Sequence, residues 1–434
     1  MKKVLIITYY WPPAGGSGVQ RWLQMTAYLK DYGWQPVVYH PANAKYQVFD
    51  ESLAAEISPD LIQISRKIKD PATFYSKVGG KKNEVGAGMS TKGKKKSFLQ
   101  KLAIWMRGNL FIPDSRKYWI KPSVRFLKKY NSENPFDAII STGPPHSMHI
   151  IAKKLSAATG KPWLADFRDP WTNIDFYREL NLSNRADKKH KRLEKEVLSS
   201  ADSVVAVGPT LAKEIEVLGA KKCEVIPNGY DPRKFKSADT QADQENFIVS
   251  HIGVMPAARN PEFLWEAMSE LKKENTVFAE KLKIVLVGNV DGVVPVSIEK
   301  AGLTEHLSMP GTVSHSEALQ LQKNSSMLML FINDAPNAKG ILTGKVFEYM
   351  AANRPIIATG PVDGDVAAIL KECEAGQMFG KSEKQKAKEY LLSLFEAYSL
   401  NKPYSNNRNR VGNYSRKAQA GQIAEILSRI SDNP

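Results

Sequence analysis

Short apolar runs alternating with segments of helical period predict an α/β fold of doubly wound parallel sheets covered by helices on both faces. Two further observations support that class. The runs are continuously apolar and bounded by turn residues, as expected of strands buried on both faces. At 434 residues the chain also exceeds one ordinary core, so two domains are expected.

The elements follow in chain order. Val4-Leu5-Ile6-Ile7 reads as the first strand, Tyr9 to Gly18 as a small-residue loop, and Val19 begins a helical pattern. Met1-Lys2-Lys3 before a short apolar run imitates a signal peptide. The run ends at Trp11-Pro12-Pro13 without a small-residue cleavage site, so a buried first strand is expected instead. Further strands are expected at Pro36 to Tyr39, Ala138 to Ser141, Trp163 to Ala165, Ser203 to Val207, Glu224 to Ile226, Ile248 to Ile252, Lys283 to Val287, Met327 to Ile332 and Pro355 to Ala358. The break between domains falls after Ile226-Pro227-Asn228-Gly229-Tyr230-Asp231-Pro232, because Ser237 to Asn246 is polar and strand-poor. The expected domains are 1–228, with a basic insertion at about 77–107, and 229–410. A last segment, 411–434, has apolar and small positions at helical spacing from Ser415 to Ile430 and is expected to pack back on the first domain.

Composition bounds the partners. A formal net charge of +16 points to an anionic partner, whether nucleic acid, acidic lipid or a charged substrate. Cys223 and Cys373 are the only cysteines, too few for a disulfide framework or zinc ribbon, which suits the cytoplasm. No segment approaches the run of about eighteen apolar residues of a membrane span, so membrane contact is expected to be peripheral. Between Lys77 and Lys101 there are eight basic residues against the single acid Glu84. Phe98 to Arg107 follows, basic and amphipathic, with Phe98, Leu102, Trp105 and Met106 able to share one face. This combination suits the anionic inner face of a cell membrane; a solvated loop before a core-facing helix is the alternative. Because the basic excess is concentrated there and not spread over an aromatic-rich groove, nucleic acid is not expected as a partner.

Chemistry-bearing patterns come next. In the first loop Gly15 and Gly16 let the backbone approach a phosphate or sugar, and the following helix start favours negative charge. The same segment also fits any tight strand-to-helix turn, since Arg21 stands where Gly-x-Gly-x-x-Gly needs its third glycine. The second half is more specific. From Gly340 to Ala358 a loop, a helix and a buried strand are written together: Thr343 or Gly344 starts the helix, Lys345 adds a cation, and Glu348 lies one turn on, placed to accept hydrogen bonds from ribose hydroxyls. At Gly253 to Pro261 a strand ends in a loop that presents Arg259, whose guanidinium suits a diphosphate.

These motifs together resemble retaining glycosyltransferases of the GT-B fold, in particular the family-four group 1 enzymes that use nucleotide-activated sugars. The resemblance covers nearly the whole chain. It rests on Gly15 and Gly16, on Ile226 to Asp231 at the domain junction, on Asp166-Phe167-Arg168-Asp169-Pro170-Trp171 and on Arg259-Asn260-Pro261. Departures are equally definite. Glu348 matches the second of the family's two glutamates, but Gly340 stands at the first; Val254 replaces an expected Arg, Arg259 an expected Lys, and Arg168 a His before Asp169.

The resemblance implies two Rossmann-like domains facing a cleft, a nucleotide sugar held mainly by the second and a lipid-linked or saccharide acceptor by the first. A hexosyl transfer in cell-envelope polysaccharide or glycolipid synthesis is expected, without metal or cofactor. Arg259, Lys345 and the helix start at Thr343-Gly344 would stabilise the departing diphosphate, Glu348 would fix the ribose, and Asp169 or His146 would be the base if the enzyme inverts. His146 follows a strand and reads either as an acceptor contact or as a helix cap. Asp363-Gly364-Asp365 reads as a helix cap before it reads as a metal site. His146 and His149 lack a third ligand nearby. Gly16-Ser17-Gly18 lacks the spacing of a serine-hydrolase elbow. The alternatives are a sugar-nucleotide epimerase of the same fold and a non-catalytic protein that binds an acidic polymer.

Overall fold

A computed structural model describes residues 1–46, 48–68, 98–235, 243–333 and 335–432. The basic, glycine-rich stretch at 77–97, where a docking segment was expected, lies outside the described residues. The chain forms two compact units, residues 1–227 with 416–434, and residues 228–415.

The first unit is built on a seven-stranded parallel sheet in the order β3-β2-β1-β4-β5-β6-β7. Its strands are β1 Lys2–Ile7, β2 Trp34–Pro41, β3 Ile62–Arg66, β4 Ala138–Gly143, β5 Trp163–Phe167, β6 Ser203–Ala206 and β7 Cys223–Val225. Along β1 alternate side chains enter different cores: Leu5 and Ile7 join one apolar cluster, Val4 and Ile6 another. All four are fully buried. That period-two alternation with apolar residues at every position is what covering both faces demands. Each such side chain contributes roughly 1.5–3 kcal/mol by leaving water. The helix Arg416–Asp432 completes this unit, adding Ala420, Ile423, Ala424, Ile426, Leu427 and Ile430 to the second cluster. Arg416 on the same helix is buried, donating from Nε to Gln24 at 3.2 Å and from Nη1 to Gln419 at 3.0 Å.

The second unit has a six-stranded parallel sheet in the order β10-β9-β8-β11-β12-β13. Its strands are β8 Phe247–Ile252, β9 Leu282–Val287, β10 Leu307–Gly311, β11 Met327–Phe331, β12 Ile356–Thr359 and β13 Gly376–Phe379. Here Met327, Met329 and Phe331 enter one core while Leu328 and Leu330 enter the other.

The central strands lie where the apolar runs place them. β3, β10 and β13 were not expected, and all three are sheet edges. β3 and β10 are largely exposed or half-buried, and β13 buries only Met378 and Phe379, so no continuous apolar run marks them. In each sheet the order reverses beside the first strand, between β1 and β4 and between β8 and β11. Loops at the carboxyl ends of such neighbouring strands form the usual ligand crevice of an open α/β sheet.

Candidate active site

In the second unit the crevice is made by the loops after β8 and β11. Gly253 follows β8 with φ +126, and a Cβ there would lie 2.4 Å from both Cε and Nζ of Lys345. Next to it, a Cβ on Gly288 would meet the Gly253 carbonyl at 2.9 Å. These two glycines therefore let the lysine amine lie against the backbone at the strand ends. Lys345 begins the helix Lys345–Ala351, with Gly344 before it and no side chain capping it; Thr343 Oγ1 accepts from the Lys345 amide at 3.4 Å. At seven residues this helix has a small dipole, so charge at the site comes chiefly from side chains.

Arg259 sits on the turn Ala257–Arg259 in the loop after β8. Its Nε donates to Asn333 Oδ1, just beyond β11, so the guanidinium is tied across the reversal point of the sheet. Burial lowers its pKa. Burial, and then the Arg259 charge, lower the Lys345 pKa to about 8, with Glu348 acting the other way. Among the described residues neither cation forms a salt bridge. Beneath them His251 is neutral, since burial, followed by the charge of Lys345, pushes its pKa down to about 3. Glu348 is half-buried, and its Oε2 accepts from Gln322 Nε2 at 3.4 Å. Two partly desolvated like charges beside one carboxylate favour a ligand carrying concentrated negative charge.

Arg259, Lys345, Thr343, Gly344 and Glu348 thus gather in one unit. Asn333 and Gln322, which orient two of them, escaped the sequence reading because an uncharged amide in a loop or helix carries no pattern of its own.

Gly15, Gly16, His146 and Asp169 belong to the first unit. A Cβ on Gly15 would meet Val48 Cγ1 at 2.9 Å, and Gly16 has φ +93 immediately before the helix Ser17–Thr26. Arg21, in place of a third glycine, has a structural role. It is fully buried and reaches Asp166 through Nη2 at 2.8 Å and Nε at 3.2 Å, and the carbonyls of Pro227 and Ile226 at 2.7 and 3.0 Å. Trp22 and Thr142 also donate to Asp166. Burial alone would raise the Asp166 pKa, but Arg21 and these donors hold it below the usual carboxylate range. The segment from Asp166 to Trp171 is therefore divided: Asp166 braces the unit, Asp169 is exposed, and Trp171 stacks on His146 at 4.4 Å.

Two capping expectations are corrected. His146 precedes the helix Ser147–Thr159 without capping it by its side chain; its ring is packed flat on Trp171, and burial drives its pKa well below the ordinary value. Gly364, not an aspartate, precedes the helix Asp365–Glu372, and Asp363 pairs with Lys339. No group of three or more His, Cys, Asp or Glu among the described residues is placed to hold a metal.

The family model Glycosyltransferase Family 4 matches residues 91–234, and the model Glycosyl transferases group 1 matches residues 232–418. The chain belongs to the family-four, group 1 glycosyltransferases. No protein of curated function matches this glycosyltransferase by sequence. Among solved structures it is similar to a sucrose-phosphate synthase from Thermosynechococcus elongatus, at 15% identity and TM-score 0.61 with 100% of each chain covered. It is also similar to HepE from Anabaena in complex with UDP and glucose, at 14% identity and TM-score 0.60 over 99% of this chain and 100% of that one. A protein described as a UDP-N-acetylglucosamine 2-epimerase from Listeria monocytogenes has 12% identity and TM-score 0.55, covering 100% of this chain and 97% of its own. At these identities the likenesses establish the glycosyltransferase's GT-B fold and two Rossmann-like domains.

Proposed function

We propose that this glycosyltransferase takes a nucleotide sugar in the second unit and transfers its hexosyl group, with retention, to an acceptor held by the first. The carrying observation is the pair Lys345 and Arg259: two partly desolvated cations, one against the Gly253 backbone, with no carboxylate bound to either among the described residues. In the transfer the bond between the anomeric carbon and the diphosphate oxygen breaks, and the acceptor oxygen bonds to that carbon on the face being vacated. The departing diphosphate takes the acceptor proton. Charge growing on the leaving oxygen meets preorganised cations, so neither metal nor cofactor is needed for it. Glu348, held by Gln322, accepts from the ribose hydroxyls. The UDP and glucose bound by HepE make UDP the first nucleotide to try.

The acceptor we propose is a lipid-linked or envelope saccharide met at an anionic membrane surface. On the helix Phe98–Asn109, Leu102 and Trp105 are 42% and 41% exposed, and Leu110 and Tyr118 nearby are also exposed. Lys117 lies 5.0 Å over the Tyr118 ring. Apolar tips beside lysines suit an interfacial position. Among the described residues no helix is long and apolar enough to cross a membrane.

Thermal unfolding of the full chain with UDP, GDP, ADP and their sugars tests the reading. One nucleoside diphosphate should stabilise it, and Lys345→Met should abolish the effect. Stabilisation by none of them refutes the proposal, and turnover of the sugar nucleotide without acceptor would replace transfer by epimerisation.

A further inference from the structure

Away from its crevice, the first unit has a cavity of about 210 Å³. Asp202 and Ser203 stand at the start of β6, and Lys221 and Lys222 just before β7, so the cavity lies toward the amino ends of these parallel strands whereas the crevice lies at the carboxyl ends. The four residues of β6 alone span about 13 Å. Another wall is the helix Arg416–Asp432, through Arg429 and Ile430. β7 is the last strand before the chain passes into the second unit at Asn228, and this helix is where it returns at Arg416. Both segments that join the first unit to the second therefore line the cavity.

The lining is of two kinds. Leu198, near the end of the helix Asn184–Ser200, Val204 and Ile430 are buried and supply an apolar side. Lys221, Lys222 and Arg429 are exposed and supply three positive charges. Two carboxylates also line the cavity, and both are engaged. Glu224 accepts from Arg429 Nη2 and, at 3.3 Å, from the Ser203 hydroxyl; Asp202 accepts from the Trp163 amide at 2.7 Å. Among the described residues neither Lys221 nor Lys222 forms a salt bridge. A positive excess beside an apolar wall selects a ligand with the matching asymmetry. A cavity of about 150 Å³ admits benzene. The larger volume here leaves room for one ring-sized apolar body with an anionic head at the rim.

We propose that this cavity binds a small amphipathic phosphate ester, its apolar body against Leu198, Val204 and Ile430 and its phosphate on Arg429, Lys221 and Lys222. A guanidinium fork with two ammonium groups matches a dianionic tetrahedral head. Glu224 positions Arg429 at the rim and competes with the phosphate for it. The ligand is not a substrate of the transfer, because none of Arg259, Lys345, Glu348, His146 and Asp169 lines the cavity.

Calorimetric titration of the full chain with phenyl phosphate, with and without saturating UDP, tests this. Phenyl phosphate should bind about tenfold or more tightly than inorganic phosphate or benzyl alcohol, since neither uses both halves of the lining, and its binding should persist with UDP. Arg429→Gln should weaken binding about tenfold, whereas Glu224→Gln, which frees the same guanidinium, should strengthen it several-fold. A merely structural role for the Arg429–Glu224 pair would move both variants in the same direction. Ala201 also lines the cavity, and Ala201→Leu should reduce binding about tenfold with an unchanged thermal midpoint, because it fills space without altering charge. The exposed Lys128→Gln, on the helix Lys117–Glu133, should leave binding intact. Absence of phenyl phosphate binding, equal affinity for inorganic phosphate, or unchanged binding in Arg429→Gln or Ala201→Leu would each overturn the site. An equal loss in Lys128→Gln would overturn it as non-specific attraction, and loss of binding on adding UDP would do so by assigning the phosphate to the cations of the second unit.

Discussion

Lys345 should make nucleotide binding fall with pH in a window where few other side chains titrate. Its pKa is lowered from 10.5 to about 8, by burial first and by Arg259 second. If the diphosphate binds only the charged amine, affinity follows the protonated fraction of the free protein, about nine-tenths at pH 7 and one-tenth at pH 9. UDP should therefore bind about tenfold more weakly at pH 9 than at pH 7, a difference of about 1.4 kcal/mol. The ligand-free fold should move the opposite way. The unfolded chain keeps the lysine proton to higher pH than the folded one, so the cost of burying a charged Lys345 is fully present below pH about 8 and is relieved as pH rises toward the ordinary lysine value. Calorimetric UDP titrations at constant ionic strength and pH 7, 8 and 9 measure the first effect. Lys345→Arg, charged throughout, should flatten the profile. A flat profile in the unmodified protein, or the same fall in Lys345→Arg, would refute the assignment.

Four other expectations concern separate parts of the molecule. Glu348→Ala should weaken UDP binding, whereas Arg259→Ala should mainly slow transfer, because a ribose contact is present in ground and transition states alike and a cation meeting new charge is not; steady-state kinetics in which neither parameter moves would remove both from the site. Asp166→Asn should cost about 3–5 kcal/mol in urea unfolding by leaving Arg21 buried without its counter-charge, and a loss below about 1 kcal/mol would show that the pair is not the brace described. Transfer should persist in excess EDTA, since Lys345 and Arg259 supply the positive charge; activity lost to chelator and restored by magnesium or manganese would contradict this. Anionic vesicles should co-sediment the protein at low salt, and Trp105→Ser with Leu102→Ser should reduce the bound fraction several-fold; equal binding by both proteins would exclude the helix Phe98–Asn109 as a membrane contact.

The fold class was legible in the amino-acid sequence, because strands buried on both faces read as continuous apolar runs such as Val4 to Ile7 and Met327 to Phe331. The sequence also marked Lys345, Glu348 and Arg259 because charged residues just after buried strands or at a helix start stand out against apolar surroundings. The edge strands β3, β10 and β13 were invisible for the converse reason: water on one side leaves no continuous run to read. Roles that depend on proximity were decided only in three dimensions. Arg21 and Asp166 are far apart in the chain, and only the sheet brings them into one buried pair. The contacts of Asn333 with Arg259 and of Gln322 with Glu348, the glycines beneath Lys345, and the Trp171 face that covers His146 are likewise set by neighbouring strand ends and helices. Local pattern records what each residue must bury or expose, whereas the identity of its partner is fixed by how the strands are ordered, which no local window contains.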